Sequence, residues 1–165
     1  MLENEAVPIM ELCHRYNVPL IINDRVNVAA EIHADGVHIG QSDMDAAKAR
    51  KILGPDSIIG VTAKTVEQAL KAQAEGADYL GSGAVFGTTT KSDAKPMDID
   101  TLNAICDSVD IPVVAIGGIN NDNVMKLSGS RIAGIAVVSG IFDNKDIKGA
   151  AQSLRAKALN IISGR

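Results

Sequence analysis

Leu20-Ile21-Ile22-Asn23-Asp24-Arg25 and, one helical pattern later, Gly36-Val37-His38-Ile39-Gly40-Gln41-Ser42-Asp43 are the stretches on which the fold turns. Each is a short apolar run that stops in amide, carboxylate or glycine positions. The same design recurs along the chain, so strands are expected at residues 19–23, 36–39, 57–62, 78–86, 111–116 and 134–138. Most of these runs are continuously apolar. Such runs suit strands covered on both faces, as in a parallel sheet, rather than half-exposed antiparallel strands.

Helical patterns fill the gaps. One over residues 6–16 precedes the first strand, and others at 26–33, 44–53, 66–75, 99–108, 121–127 and 146–162 follow the successive strands. Thr65 with Gln68 reads as a capping box, Gly76 as a helix stop, and Asp98 or Asp100 as a helix start. Repeated strand–helix alternation means an α/β fold with right-handed crossovers. A doubly wound sheet and a barrel both satisfy it. The first strand is followed by no G-x-G-x-x-G turn, which disfavours the dinucleotide-binding sheet. Polar or glycine residues end nearly every strand: Asn23-Asp24, Gly40-Gln41, Thr62, Thr88 to Lys91, Gly117-Gly118 and Ser139. A barrel collects all such loops on one face. A complete one has eight strands and roughly 250 residues. The expectation is therefore an incomplete TIM (βα)8 barrel of about six parallel strands with flanking helices, its first two strands missing, with residues 1–165 as one domain.

Composition narrows the functional class. Hydrophobic residues are 46% and charged residues 22%, with two Phe, two Tyr and no Trp, so the core must be aliphatic. The net charge of −4 is spread without a block of like sign, which argues against a nucleic-acid or anionic-membrane surface. Cys13 and Cys106 make no metal or disulfide spacing. No apolar run approaches a membrane span, and the first residues lack a basic start and an apolar signal core. A cytoplasmic location is expected, and open strand edges make a homo-oligomer reasonable.

Three constellations carry chemistry. Asp24 and Asp43 follow neighbouring strands beside Asn23. Two carboxylates there suit Mg²⁺, which takes a few carboxylates plus water and phosphate oxygens; taken singly, Asp24 reads as a turn residue and Asp43 as a helix cap. Gly81-Ser82-Gly83-Ala84-Val85-Phe86-Gly87-Thr88-Thr89-Thr90-Lys91 sets three hydroxyls and a cation after a glycine-rich strand, a donor set for phosphate. Gly117-Gly118 and Val138-Ser139 end the last two strands, where barrels build phosphate sites from backbone N–H groups. Thr62 is a further hydroxyl at a strand end. His38 reads as a hydrogen-bonded structural residue. No hydrolytic triad, acid–base pair or zinc spacing accompanies them.

Taken together, Ile-Asn-Asp-Arg, Gly-Val-His-Ile-Gly-Gln-Ser-Asp-Met, Thr-Thr-Thr-Lys, Ala-Ile-Gly-Gly-Ile and Val-Val-Ser resemble, in order, the motifs of the thiamine-phosphate synthase (thiamine phosphate pyrophosphorylase) family. The resemblance runs from residue 20 to about residue 142. It implies condensation of 4-amino-2-methyl-5-(diphosphooxymethyl)pyrimidine with 4-methyl-5-(2-phosphoethyl)thiazole, giving thiamine phosphate and pyrophosphate. It also implies that Asp24 and Asp43 hold Mg²⁺. Asn23, Thr62 and Lys91 would bind the pyrimidine diphosphate. Thr88, Thr89, Thr90, Gly118, Val138 and Ser139 would bind the thiazole phosphate. Thr62 stands where the family usually has serine, and Gly83-Ala84-Val85-Phe86-Gly87 where it often has Gly-Pro-Val-Phe-Pro. The family's early Gln-x-Arg-x-Lys strand is not in the sequence, so a fragment, a truncated gene model or a chain completed by a partner is expected. Two other readings remain open at this point: a thiazole tautomerase-like relative, and a non-catalytic phosphate-ligand-binding or interaction fragment.

Overall fold

A computed structural model describes residues 2–87 and 96–164. The chain falls into two compact units, one of Met1–Thr62 with Lys71–Leu80, the other of Ala63–Leu70 with Gly81–Arg165.

The first unit contains α1 (Leu2–Arg15), β1 (Ile21–Asn23), α2 (Val26–Glu31), β2 (Gly36–Ile39), α3 (Ala46–Leu53), β3 (Ile58–Thr62), the end of α4 (Val66–Ala74) and the start of β4 (Tyr79–Gly83). Its strands lie in the order β1-β2-β3-β4. β1 pairs parallel with β2, and β2 with β3. The register sets Asn23 beside His38 and His38 beside Gly60, one row across three strands. Val37, Ile39 and Ile59 are fully buried, as the continuous apolar runs require. Gly36 has a steric reason: a Cβ there would stand 2.0 Å from the Ile58 carbonyl oxygen.

Helix ends follow local chemistry. Asp45 caps α3 by accepting the Lys48 N–H at 2.9 Å. Thr65 accepts the Gln68 N–H at 3.3 Å, but Gln68 reaches back to the Lys64 N–H at 2.7 Å, one residue before the cap position. Gly76, at φ +88°, ends α4 in a Schellman motif: its N–H donates to Gln73 and that of Ala77 to Ala72. Two carboxylates then pin helices to strands. Asp35 accepts the Leu20 N–H at 2.7 Å and stands 2.8 Å from His14 Nε2; burial pushes its pKa up, but these bonds outweigh that and lower it.

The larger pin is Arg50. Nη1 donates to the carbonyls of Gly54 (3.4 Å), Pro55 (3.2 Å) and Ser57, and Nη2 to the carbonyl of Gly76 (3.1 Å) and to Asp78 Oδ2 (2.7 Å). The same Asp78 oxygen accepts the Ile59 N–H at 2.6 Å. One guanidinium thus ties the end of α3, the entry to β3 and the turn before β4.

The second unit holds the start of α4, the rest of β4, α5 (Ile99–Ser108), β5 (Val113–Ile116), a 3-10 turn (Val124–Leu127), β6 (Gly134–Ala136), α6 (Ser139–Phe142) and α7 (Ile147–Ser163). Its strand order is β4-β5-β6, with β5 and β6 parallel. Asp98, rather than Asp100, caps α5 through the Thr101 N–H at 2.6 Å. Leu102, Ile105, Ala115, Ile119, Val124, Leu127 and Leu154 form its aliphatic core. α7 is tied to the loop after β5, since Ser153 donates to Asn121 Oδ1 and Lys157 to the Asn121 carbonyl, both at 2.7 Å.

All six expected strands are present, several shorter than expected. The largest difference is the run 78–86, of which only Tyr79–Gly83 is strand. Beyond it the backbone turns toward the end of β5, with the Val85 N–H on the Ile116 carbonyl at 3.0 Å and that of Phe86 on Gly117 at 3.1 Å. The helix expected over 121–127 is the short 3-10 turn, because Asn120 and Asn123 side chains take up backbone N–H groups and hold the loop. Among the described residues no helix is long and apolar enough to cross a membrane.

Replacing Arg50 by Lys removes the planar fork that reaches carbonyls and carboxylate together. Arg50→Lys is expected to lower unfolding free energy by about 2 kcal/mol, read as a lower urea midpoint at unchanged slope. An unchanged midpoint contradicts the pin.

Candidate active site

In the first unit the candidate residues gather at the C-terminal end of β2. Asp24 follows β1 with φ +62°, a left-handed conformation that Asp tolerates better than most residues, and its N–H donates to the His38 carbonyl at 2.8 Å. Asp43 does not cap α3, which Asp45 does; its Oδ2 instead accepts the Gly40 N–H at 2.7 Å and closes the turn after β2. The two acidic residues are thus anchored to His38 in β2 and to Gly40 just after it. That turn leaves Oδ1 of Asp43 outside the bond. Among the described residues no group of three or more His, Cys, Asp and Glu side chains forms a metal cage. A pair of carboxylates completed by phosphate oxygens and water is what Mg²⁺ accepts, so the donor set fits that ion. Asn23, exposed at the end of β1, makes no side-chain hydrogen bond with another described residue.

Thr62 ends β3 and joins this cluster through His38. His38 Nε2 lies 3.0 Å from Thr62 Oγ1, and His38 Nδ1 lies 3.0 Å from the Tyr79 hydroxyl. The Tyr79 ring covers Gly60: a Cβ on Gly60 would meet ring carbon Cζ at 2.2 Å. Gln41 Nε2 donates to the Thr62 carbonyl at 2.6 Å, fixing its backbone. Burial pushes the Tyr79 phenol pKa up, so the hydroxyl keeps its proton. Sequence reasoning missed Tyr79 and Gln41. The signal that could have found Tyr79 was Gly60, because a glycine inside a strand marks the close approach of another group.

In the second unit the loops after β5 and β6 meet. Gly117 (φ +102°) and Gly118 (φ +66°) turn against the exit of β4; a Cβ on Gly118 would lie 2.0 Å from the Gly87 carbonyl oxygen. Asn123 Nδ2 donates to the Gly118 carbonyl at 2.8 Å and its Oδ1 accepts the Asn120 N–H at 2.9 Å. Val138 precedes α6 and Ser139 begins it. Gly140, a residue not singled out from sequence, lets this turn approach the first: its Cβ would lie 2.3 Å from the Ile119 carbonyl oxygen. Gly118, Val138 and Ser139 therefore belong to one built loop pair. Among the described residues the Ser139 hydroxyl has no partner. Thr88, Thr89, Thr90 and Lys91 lie outside the described residues.

Comparison with known proteins places these motifs in a family. A family model described as thiamine monophosphate synthase matches residues 1–141. The chain is 54% identical over 149 residues to a thiamine-phosphate synthase of Ruminiclostridium cellulolyticum, covering 90% of this chain and 71% of that one. It is 49% identical over 158 residues to thiamine-phosphate synthase 2 of Streptococcus pneumoniae, covering 96% and 75% respectively. The solved thiamine phosphate pyrophosphorylase of Pyrococcus furiosus superposes with a TM-score of 0.89 at 38% identity, over 97% of this chain and 77% of that chain. That likeness bears out the expected TIM-type α/β class, here six parallel strands with flanking helices. The motifs at the strand ends, the fold and the matched residues agree, and the chain belongs to the thiamine monophosphate synthase family.

Proposed function

We propose that this chain is a transferase of thiamine biosynthesis. It joins 4-amino-2-methyl-5-(diphosphooxymethyl)pyrimidine to 4-methyl-5-(2-phosphoethyl)thiazole, forming thiamine phosphate and releasing pyrophosphate. The observation that carries the reading is the anchoring of Asp24 and Asp43 to one end of β2 in a chain of this family. Its ligands are phosphorylated small molecules, its metal Mg²⁺, and its location the cytoplasm.

In the reaction the bond between the pyrimidine methylene carbon and the diphosphate oxygen breaks, and its electron pair leaves with pyrophosphate. The thiazole ring nitrogen then donates its lone pair to the methylene carbon, forming the new C–N bond. No protein nucleophile or general base is required, which agrees with a site rich in amides, hydroxyls and carboxylates. Asp24 and Asp43 would hold Mg²⁺, which would neutralise charge building on the leaving diphosphate. Asn23 and Thr62 donate hydrogen bonds to the pyrimidine diphosphate, and Lys91 adds a positive charge. Thr88, Thr89 and Thr90 with Gly118, Val138 and Ser139 receive the thiazole phosphate, the last three largely through backbone groups. Holding two reactants in a fixed orientation is itself a large part of the acceleration in a condensation of this kind.

The test is pyrophosphate release from both substrates together. Release is expected with Mg²⁺ and is expected to cease with a chelator. Asp24→Asn and Asp43→Asn should each lower kcat/KM by roughly a hundredfold, since each removes a charged ligand of the ion. Thiazole isomerisation without metal, or binding with no pyrophosphate, favours the tautomerase or non-catalytic readings instead.

The residues of the two units separate by substrate. Ser139→Ala should raise KM for the thiazole phosphate by about tenfold and leave that for the pyrimidine diphosphate unchanged. Gly118→Ala should do so more strongly, because its side chain meets backbone at a positive φ. Equal effects on both substrates contradict the assignment.

A further inference from the structure

The hydrogen-bonded row Tyr79–His38–Thr62 has two possible directions. A neutral imidazole carries one donor and one acceptor nitrogen, and both flanking hydroxyls can play either part. In one arrangement the Tyr79 hydroxyl donates to Nδ1 and Nε2–H donates to Thr62 Oγ1. Every hydrogen in the row is then used except that of Thr62, which stays available for an outside acceptor. In the other arrangement Nδ1–H donates to Tyr79 and Thr62 donates to Nε2. The half-buried phenolic hydrogen is then left with no acceptor among the described residues, and Thr62 can only accept. Each direction leaves one hydroxyl hydrogen over, and Tyr79 and Thr62 are both half-buried; only in the first does a phosphate acceptor beyond Thr62 leave no hydrogen of the row unused.

We propose that His38 is a positioning residue: oriented by Tyr79, it holds the Thr62 hydroxyl as a hydrogen-bond donor toward the pyrimidine diphosphate. Three features keep the row in place. The Tyr79 ring lies over Gly60, where any side chain would displace it. Its centroid stands 5.4 Å from that of His38, at an interplanar angle of 37°. Gln41 holds the Thr62 backbone carbonyl. A hydroxyl that accepts from His38 keeps its own hydrogen free to donate, which is the polarity a phosphate oxygen needs. Neither His38 nor Tyr79 touches substrate in this scheme; both act through Thr62.

The inference rests on the role given to Thr62 above, and two measurements keep the two apart. The first is the ¹⁵N spectrum of the three histidine rings in the unmutated chain at neutral pH, with His38 assigned by its loss in His38→Gln. The Nε2–H tautomer is expected. The Nδ1–H tautomer or a doubly protonated ring overturns the proposal, whatever the chain catalyses. The second is a double-mutant cycle on turnover. Tyr79→Phe keeps the ring over Gly60 but removes the hydroxyl, and should raise KM for the pyrimidine diphosphate roughly tenfold with KM for the thiazole phosphate unchanged. In a Thr62→Ala background the same change should have no further effect. His38→Gln, which retains an amide donor toward Thr62, should recover more activity than His38→Asn. Losses that multiply in the double variant, or a Tyr79→Phe chain as active as the parent, overturn the proposal. An unmutated chain that releases no pyrophosphate sinks the proposed reaction instead, and leaves the tautomer measurement to decide the row.

Discussion

A missing side chain governs the candidate site of the first unit. Gly60 sits beside His38 in the parallel register, and because it has no Cβ the Tyr79 ring can lie over the sheet and reach the His38 ring. His38 then spans to Thr62, and its carbonyl holds the N–H of Asp24. Any larger residue at this position would push Tyr79 aside by steric overlap with its ring. The hydroxyl, imidazole and carboxylate positions at the end of β2 would lose their common reference. Parallel pairing makes this possible, since it brings residues of successive strands level with one another at the same end.

The second unit uses glycine differently. At Gly117 and Gly118 positive φ values and the nearness of the β4 exit both exclude side chains, and at Gly140 the Ile119 carbonyl does. The outcome is two turns packed backbone against backbone, with Asn123 fixing one of them through three atoms of its amide and main chain. Backbone N–H groups in such turns suit an anion because their dipoles are already oriented and nothing intervenes. α6 is a single turn of helix, too short to owe its existence to propensity; it follows from the turn that precedes it.

Stability and chemistry are drawn from different parts of the same strands. Val37 and Ile39 of β2 and Ile59 and Val61 of β3 are buried aliphatic residues, while His38 between the first two and Thr62 at the end of β3 are half-buried and polar. Arg50 and Asp78 work at the opposite, entry end of β3, where they join helix ends to strands without reaching the candidate residues. A protein arranged this way can change its polar strand ends with little disturbance of its core.

The sequence by itself determined the class of fold and most of the strand-end chemistry. Mostly continuous apolar runs, short and bounded by turn residues, suit strands covered on both faces, and Asn23, Asp24, Thr62, Gly118 and Ser139 stand at or just beyond their ends because a strand has to stop in residues that tolerate turns or solvent. Pairings between distant residues were decided by tertiary structure. Nothing in the local pattern says that Tyr79 reaches His38 across 41 positions, that Asp43 closes the turn at Gly40 while Asp45 takes the helix cap, or that Gly140 makes room for Ile119. Periodicity reports which face a residue occupies. Register and close backbone approach depend on every strand being in place, and so appear only in the folded chain.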